Sequence, residues 1–247
     1  SNITGFSLGT QFEYLDDLEF GLSTRNVIEK IDVDGSASAR QKKQDGNYFD
    51  SFIGLDFIYD KRNQRYQTTS GFLSDYNLNL PILSDTNTLT NVYNYKVFKE
   101  LYENNVSSFS FLLKGASSLS GDDIKLSERM FIPGRKLRGF ETGKIGPKDG
   151  SDFIGGNYVS TINATTSLPK ILENVQTVDI VMFADAANIW GVDYDSSLDK
   201  GGIRSSVGIG LDWSTPIGPL TFSFAKPITK ESTDIEETFR FNIGTSF

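Results

Sequence analysis

The feature that most constrains this chain is an alternation of apolar and polar residues at every second position. Residues 6–14 read Phe, Leu, Thr, Phe and Tyr on one face and Ser, Gly, Gln and Glu on the other. In residues 205–213, Val, Ile, Leu and Trp alternate with Ser, Gly and Asp. Successive side chains of a β-strand point to opposite faces of the sheet, so this period predicts strands with one apolar face and one polar face.

The alternation recurs often enough to predict an all-β, antiparallel chain without helices. Turn residues separate the predicted strands, and short connections alternate with longer or more polar ones, as they would at the two rims of a barrel. The predicted strands cover residues 6–14, 18–31, 51–59, 71–80, 89–98, 108–116, 156–168, 178–190, 205–213, 220–225 and 239–247.

Composition excludes several kinds of site. The 247 residues contain no cysteine and no histidine, which removes disulfides, thiol nucleophiles and the commonest general base and metal ligand. A net charge of −8 and a pI of about 4.7 disfavour a nucleic-acid partner. The sequence shows no nucleophile paired with a base and no phosphate-binding loop. We therefore expect no enzymatic activity, no cofactor and no metal.

Two architectures share this alternation, a soluble β-sandwich and a membrane β-barrel. No run of about 18 apolar residues is present, which excludes a transmembrane helix. The polar face is rich in Gly, Ser, Asn and Asp, which suits a polar lumen better than a water-exposed sandwich face. Aromatic residues recur at strand ends, as an aromatic girdle requires: Tyr14, Tyr59, Trp190, Trp213 and Phe247. The pattern favours an antiparallel transmembrane β-barrel.

The longest interval without alternation, residues 118–156, has an unusual composition for a loop. It carries a basic and apolar cluster, centred on Leu137, Arg138, Gly139 and Phe140 and punctuated by further glycines. Such a loop is expected to fold back onto the protein, with Arg138 as its charged tip. From the residues alone, a solvated arginine remains the alternative, because most arginines lie at the surface.

Four stretches resemble the BamA-type outer-membrane assembly barrels, which share their architecture with TamA and with the two-partner-secretion transporter FhaC. They are the loop with its Arg-Gly-Phe motif, residues 154–157, residues 183–190, and the last strands from residue 208 onwards. The resemblance implies a barrel of about sixteen strands. Residues 1–247 would then form about the last eleven strands of the barrel domain, without its first strands and the N-terminal POTRA domains. A closed barrel with one further strand is the alternative.

The resemblance also implies a partner for the loop. In the family the loop enters the lumen and its arginine contacts acidic groups on the wall; the matching acid here is Asp185. A second family acid falls on Thr165, so Arg138 would lose one carboxylate unless Asp179 or Asp212 replaces it. An Asp185 that merely lines the lumen remains the alternative.

The last strand resembles the β-signal of the family, a strand with alternating aromatic residues and a terminal Phe. Assembly machinery reads such a strand through backbone pairing and its alternate side chains. In the family this strand also pairs weakly with the first strand and forms a seam, which Gly244 would weaken further because it offers no side chain to pack. The residues concerned are Phe239, Phe241, Ile243, Gly244 and Phe247.

Taken together, the resemblance implies an insertase for β-barrel proteins in the bacterial outer membrane. Its partners would be outer-membrane lipids, nascent outer-membrane β-barrel proteins and accessory lipoproteins of an assembly complex. The alternative is a two-partner-secretion or TamA-like translocation transporter. No signal peptide precedes the first strand, so we expect that it has been removed or that the sequence is part of a longer protein.

Overall fold

The main element of the structure, a computed structural model, is one antiparallel sheet of 11 strands. The structure describes residues 1–65, 67–102, 105–168, 177–199, 201–215 and 218–243. In chain order the strands are β1 (Asn2–Leu15), β2 (Leu18–Ile31), β3 (Gly46–Asp60), β4 (Gly71–Ser84), β5 (Thr88–Tyr102), β6 (Asn105–Ser118), β7 (Gly139–Phe140), β8 (Lys148–Asp149), β9 (Asp152–Phe153), β10 (Tyr158–Ser167), β11 (Val178–Trp190), β12 (Arg204–Thr215), β13 (Gly218–Thr229), β14 (Glu236–Glu237) and β15 (Phe239–Ile243).

Strands that follow one another along the chain are neighbours in the main sheet, which runs from β1 to β15. The two-residue strands form separate pairs, β7 with β14 and β8 with β9. Within the described ranges, helical structure is limited to short 3-10 turns, at Gln41–Gln44, Leu126–Glu128, Gly134–Lys136 and Ser196–Leu198. None of the helices described is long and apolar enough to cross a membrane.

The eleven predicted strands are confirmed, and two of them, β2 and β11, have the predicted bounds. The sequence pattern was wrong at the end of β4, which continues through Pro81 to Ser84 instead of stopping at residue 80. Proline is tolerated there because the pairing with β3 shifts register, with Ser51 opposite Leu83 and Phe52 opposite Pro81. The following connection is therefore only three residues long, residues 85–87, although it lies on the rim predicted to carry long loops.

In the main sheet the apolar side chains are exposed and the polar side chains are buried, which is the reverse of the arrangement in a soluble protein. One face, called here the outer face, exposes large apolar side chains such as Ile162, Met182 and Ile209. The opposite, inner face buries polar side chains, such as Thr161 and Ser206. A water-soluble sandwich would bury its apolar face, so this arrangement decides in favour of a membrane barrel with a polar interior.

Aromatic side chains on the outer face contact one another across neighbouring strands. The rings of Phe12 and Phe20 lie 5.6 Å apart, and those of Phe20 and Phe57 lie 5.1 Å apart. Edge-to-face and tilted pairs at these distances stabilise a sheet beyond their buried area. Of the predicted girdle, Tyr14, Tyr59 and Trp213 lie near the rim that carries the β1–β2 turn, and Trp190 lies near the other rim; Phe247 is outside the described residues.

Candidate functional site

The loop between β6 and β10 lies against the inner face of the sheet. Its apolar residues join inner-face residues of the strands in one buried cluster, formed by Ala116, Ile124, Met130, Ile132, Leu137, Phe140, Ile145, Val159, Ala187 and Ile189. Leu137 is 1% exposed and Phe140 is 0% exposed. The apolar residues that were unusual for a loop thus form a core with the barrel wall, which holds the loop inside.

Arg138 projects from this core onto Asp185 of β11. Its Nε donates to Asp185 Oδ2 at 2.7 Å and its Nη2 donates to Oδ1 at 2.7 Å. The backbone N–H of Arg138 donates to Oδ2 as well, at 3.1 Å. The Asp185 side chain is 0% exposed. A two-pronged arginine–carboxylate contact of this kind fixes orientation as well as position.

The residues around the pair complete its contacts without a second acid. Asn163 donates to Asp185 Oδ1 at 2.9 Å and to the carbonyl oxygen of Lys136 at 2.8 Å. Thr165, where the family has an acid, accepts a hydrogen bond from Arg138 Nη2 at 3.4 Å. The guanidinium also stacks on Phe183, 3.4 Å from the ring centroid.

Asp179 and Asp212 do not replace the missing acid. They lie opposite each other on β11 and β12, and neither has a hydrogen bond or ion pair with Arg138 among the described residues. The position at which the resemblance implies a second acid therefore holds a neutral hydroxyl, and the ion pair that Arg138 makes within the described residues is with Asp185.

Lys136 brings a second positive charge close to the Arg138 side chain. Its Nζ donates to Ser110 Oγ at 3.2 Å. Burial lowers the pKa of Lys136 although the nearby carboxylate of Asp185 opposes this effect. Burial thus disfavours the charged form of Lys136, and the two-pronged contact to Asp185 comes from the Arg138 guanidinium.

Gly139 allows the loop to pass close to the wall. Its φ is +93°, and a Cβ at this position would lie 3.2 Å from Ala225 Cβ and 3.3 Å from Ser206 Cβ. The Ser206 hydroxyl donates to the carbonyl oxygen of Arg138. With Phe140, Gly139 forms β7, which pairs with Glu236 and Glu237 of β14. The backbone of the Arg-Gly-Phe motif is thus held by Ser206 of β12 on one side and by β14 on the other.

Sequence reasoning missed Arg240 of the terminal strand β15. It lies on the inner face opposite Ser223 and is 9% exposed. Its guanidinium donates to the carbonyl oxygens of Gly134 and Phe140, and its Nε donates to Glu237 at 2.8 Å. The signal that could have found it was a charged residue at the inner position between the outer-face residues Phe239 and Phe241.

Comparison with protein families decides the class of this barrel. The model of the Omp85 superfamily domain matches residues 2–247. The chain belongs to the Omp85 superfamily. Like its BamA relatives, this Omp85 domain resides in the bacterial outer membrane.

Several known proteins are similar to this Omp85 domain. The outer membrane protein assembly factor BamA of Neorickettsia risticii is 26% identical over 240 residues, which are 94% of this chain and 32% of that protein. BamA of Neisseria meningitidis is 29% identical over 174 residues, 57% of this chain and 22% of that protein. A SAM50-like protein of Schizosaccharomyces pombe is 30% identical over 151 residues, 57% of this chain and 31% of that protein.

The fold has a close counterpart among solved structures. The crystal structure of BamA from Haemophilus ducreyi lacking POTRA domains 1–3 superposes with a TM-score of 0.87 and 24% identity. The match covers 97% of this chain and 53% of that one. The Omp85 domain therefore spans about half of that structure and no more than a third of the three relatives named above.

A second polar anchor, also missed from the sequence, connects the loop of the Omp85 domain to β2 and β3. Lys125 is 2% exposed. Its Nζ donates to Asp50 and, at 3.2 Å, to Glu29 Oε2, and lies 3.8 Å from Glu128 Oε1. Ser127 donates to the same Glu29 oxygen at 2.8 Å. The partners are up to 98 residues apart in sequence, so no local pattern could predict this cluster.

The surroundings of this anchor raise the pKa of two of its loop residues, Lys125 and Glu128. Burial alone would lower the pKa of Lys125, but the hydrogen bond to Asp50 and the charges of Glu128, Asp50 and Glu29 raise it above its usual value. Burial raises the pKa of Glu128. Lys125 is thus held in its charged form, as a buried lysine surrounded by carboxylates should be.

The terminal strand of the Omp85 domain is short in the described residues. β15 pairs with β13 over five positions, from Leu220 opposite Ile243 to Phe224 opposite Phe239. The Phe222 and Phe241 rings stack at 4.8 Å, on the outer face. Phe239, Phe241 and Ile243 are all exposed there. Gly244 and Phe247, the other predicted residues of the β-signal, lie outside the described residues.

Proposed function

We propose that this Omp85 domain belongs to an outer-membrane protein assembly factor that inserts nascent β-barrel proteins into the bacterial outer membrane. The observation that carries the proposal is the docking of the Arg-Gly-Phe loop on the inner wall, through Arg138 and Asp185, next to the terminal strand. Strand pairing and burial suffice for this function, so it requires no bond chemistry.

The outer face supports contact with outer-membrane lipids. Large apolar side chains are exposed on it from β1 to β15, among them Phe6, Leu8, Val207 and Phe224. Apolar groups exposed over such an area are stable only against lipid or another apolar surface. Insertion of a client barrel needs this lipid contact at the same edge where new strands are added.

The terminal strand supports the proposed lateral seam. β15 is the last strand of the main sheet in chain order and pairs with β13 on one side. In the proposed seam, its other edge opens and binds an extended segment by adding it as a further strand. The proposed partners are the strands of nascent outer-membrane barrel proteins. Accessory lipoproteins, which the family resemblance implies, complete the proposed assembly complex.

The Arg138–Asp185 pair gives the docked loop a defined position. Hydrogen bonds to charged groups contribute about 1.5–3 kcal/mol each. Removal of the Arg138 side chain would leave the carboxylate of Asp185 buried without a cation, with Asn163 and the backbone N–H of residue 138 as its hydrogen-bond donors. Breaking a buried pair in this way costs about 3–5 kcal/mol. The loop should therefore lose its position when either partner is truncated.

The test uses depletion of the full-length protein in its own cells. We expect unrelated outer-membrane barrels to lose their heat-modifiable folded form on semi-native gels, and wild-type protein supplied in trans to restore it. Full-length protein with Arg138→Ala should restore assembly poorly. The matched control is Arg135→Ala, because Arg135 lies three residues away and is exposed.

Two outcomes would overturn parts of the proposal. Normal assembly of unrelated barrels after depletion would exclude the insertase, and loss of a single secreted protein instead would identify the translocation transporter. Full complementation by Arg138→Ala, with wild-type melting behaviour, would show that the docked arginine has no functional role.

A further inference from the structure

The terminal strand of the sheet is attached to the docked loop as well as to its neighbouring strand. Arg240 donates to the carbonyl oxygens of Gly134 and Phe140, so its guanidinium spans both ends of the motif-bearing segment. Glu237, which precedes β15, holds the same guanidinium from the other side. We call the contacts of Arg240 with Gly134 and Phe140 the Arg240 bridge.

We propose that Arg240 is a positioning residue that couples the terminal strand to the docked loop, so that the strand separates from the sheet only when the Arg240 bridge breaks. The inference rests on the proposed function, because it assigns a control element to the proposed seam. It concerns this arginine and its two carbonyl acceptors, and is separate from the contact of Arg138 with Asp185.

The Arg240 bridge joins β15 to a buried part of the loop. Arg240 is 9% exposed, and Phe140, whose carbonyl oxygen it meets, is 0% exposed. Hydrogen bonds from a charged donor are stronger than those between neutral groups.

The same segment of the loop is held by two arginines from opposite directions. Arg138 attaches this segment to β11, and Arg240 attaches β15 to the same segment through the carbonyl oxygen of Phe140. In the sequence, only Gly139 lies between Arg138 and Phe140. A displacement of the loop backbone at Arg138 therefore reaches the Arg240 contact at Phe140 through one intervening residue, and the reverse also holds. Coupling between two sites is reciprocal in free energy, which gives the inference a strict test.

The space beside the bridge allows it to open without unfolding the loop. A cavity of about 550 Å³ lies between the loop and β15, and its lining includes Arg240, Thr142 and Asn242. Gly134 has no room for a side chain, since a Cβ there would lie 2.7 Å from Arg240 Nη1 and closer still to Thr142 Oγ1. The bridge thus needs glycine at this position, and the cavity can receive the displaced guanidinium.

The experiment is hydrogen–deuterium exchange on the full-length protein in lipid nanodiscs. We expect Arg240→Gln to speed exchange of the β15 amides at least about tenfold, the scale of losing one charged hydrogen-bond contact. Gly134→Ala, which displaces the bridge without altering β15, should have the same effect there. Asn242→Ala is the matched control, two residues along on the same strand and face, and should leave β15 exchange unchanged.

Reciprocity supplies the decisive comparison. Arg138→Ala should speed exchange in β15, and Arg240→Gln should speed exchange in residues 134–140 of the loop. Unchanged exchange in β15 for Arg240→Gln and Gly134→Ala, with both proteins folded, would overturn the inference, whatever the assembly activity. Faster exchange together with normal barrel assembly after depletion would keep the coupling and exclude the proposed function.

Discussion

At the scale of single residues, Thr165 occupies the position at which the family resemblance implies an acid. Its hydroxyl accepts from Arg138 at 3.4 Å, while Asp185 and Phe183 hold the rest of the guanidinium. Arginine offers five donors in a fixed fork, so a neutral acceptor at one prong still leaves the bidentate contact to Asp185 intact.

This position leads to a prediction about restored charge. Thr165→Glu should place a carboxylate beside Arg138 and raise the stability of the folded barrel by about 1 kcal/mol, the net of a charged hydrogen bond and its desolvation. The measurement is the thermal unfolding midpoint in detergent micelles.

A neighbouring threonine provides the contrast for that measurement. Thr161 lies on the same face of β10 and is 1% exposed, and its hydroxyl has no hydrogen-bond partner among the described residues. Thr161→Glu would bury a carboxylate that does not meet the Arg138 guanidinium and should lower the midpoint. Equal effects of the two variants, in either direction, would contradict the role assigned to Arg138.

At the residue level, sequence reasoning could propose partners only where a motif or a pattern exists. Arg138 and Asp185 could be paired because the family resemblance supplies both positions. Lys125 and Arg240 could not be paired with their main partners, because those partners lie 75 to 106 residues away in sequence. A lone buried cation in a loop looks like any solvated lysine until the fold brings its carboxylates to it.

At the scale of elements, the strands were predictable because alternation is a local property of each segment. The pattern underestimated β3, β4 and β5 at their ends, where polar or proline residues continue the ladder. The path of the loop between β6 and β10 was not predictable, since it is fixed by packing against Val159, Ala187 and Ile189 rather than by its own propensities.

The close approach of this loop to the wall gives a prediction on two of its glycines. Gly139 and Gly143 both have positive φ, +93° and +75°, but of the two only Gly139 has neighbouring atoms within 4 Å of the position that a Cβ would occupy. Gly139→Ala should cost about 2–4 kcal/mol of stability, because it adds crowding against Ala225 and Ser206 to the backbone strain. Gly143→Ala should cost only the strain, about 1 kcal/mol.

The two substitutions are compared by limited trypsin cleavage at the exposed Arg135 in the folded barrel. Faster cleavage for Gly139→Ala than for Gly143→Ala would indicate that the loop has left the wall. Similar cleavage rates would mean that the approach of Gly139 to β12 and β13 does not hold the loop in place.

At the scale of the whole molecule, the loop connects strands that are far apart in the sheet. Lys125 attaches it to β2 and β3, Arg138 to β11, and Arg240 to β15. A sheet whose outer face meets lipid gains little from apolar burial on that side, so these interior contacts carry much of its rigidity. In the proposed function, the loop is a fixed brace and the terminal strand moves relative to it.

A disulfide between the loop and the wall tests this view of a fixed brace. The natural chain has no cysteine, so Gly139→Cys with Ala225→Cys can form only one bond. The 3.2 Å between a Cβ on Gly139 and that of Ala225 is shorter than the roughly 3.5–4.5 Å of a disulfide, so a small shift of the loop is needed to accommodate the bond. The oxidised protein should support barrel assembly as well as its own reduced form, because the loop stays on β13 while β15 moves. Both forms carry the same two substitutions, so a difference in activity between them reports the disulfide alone and not the strain of the substitutions. An oxidised protein that is inactive, and regains activity on reduction, would show instead that the loop must leave the wall during assembly.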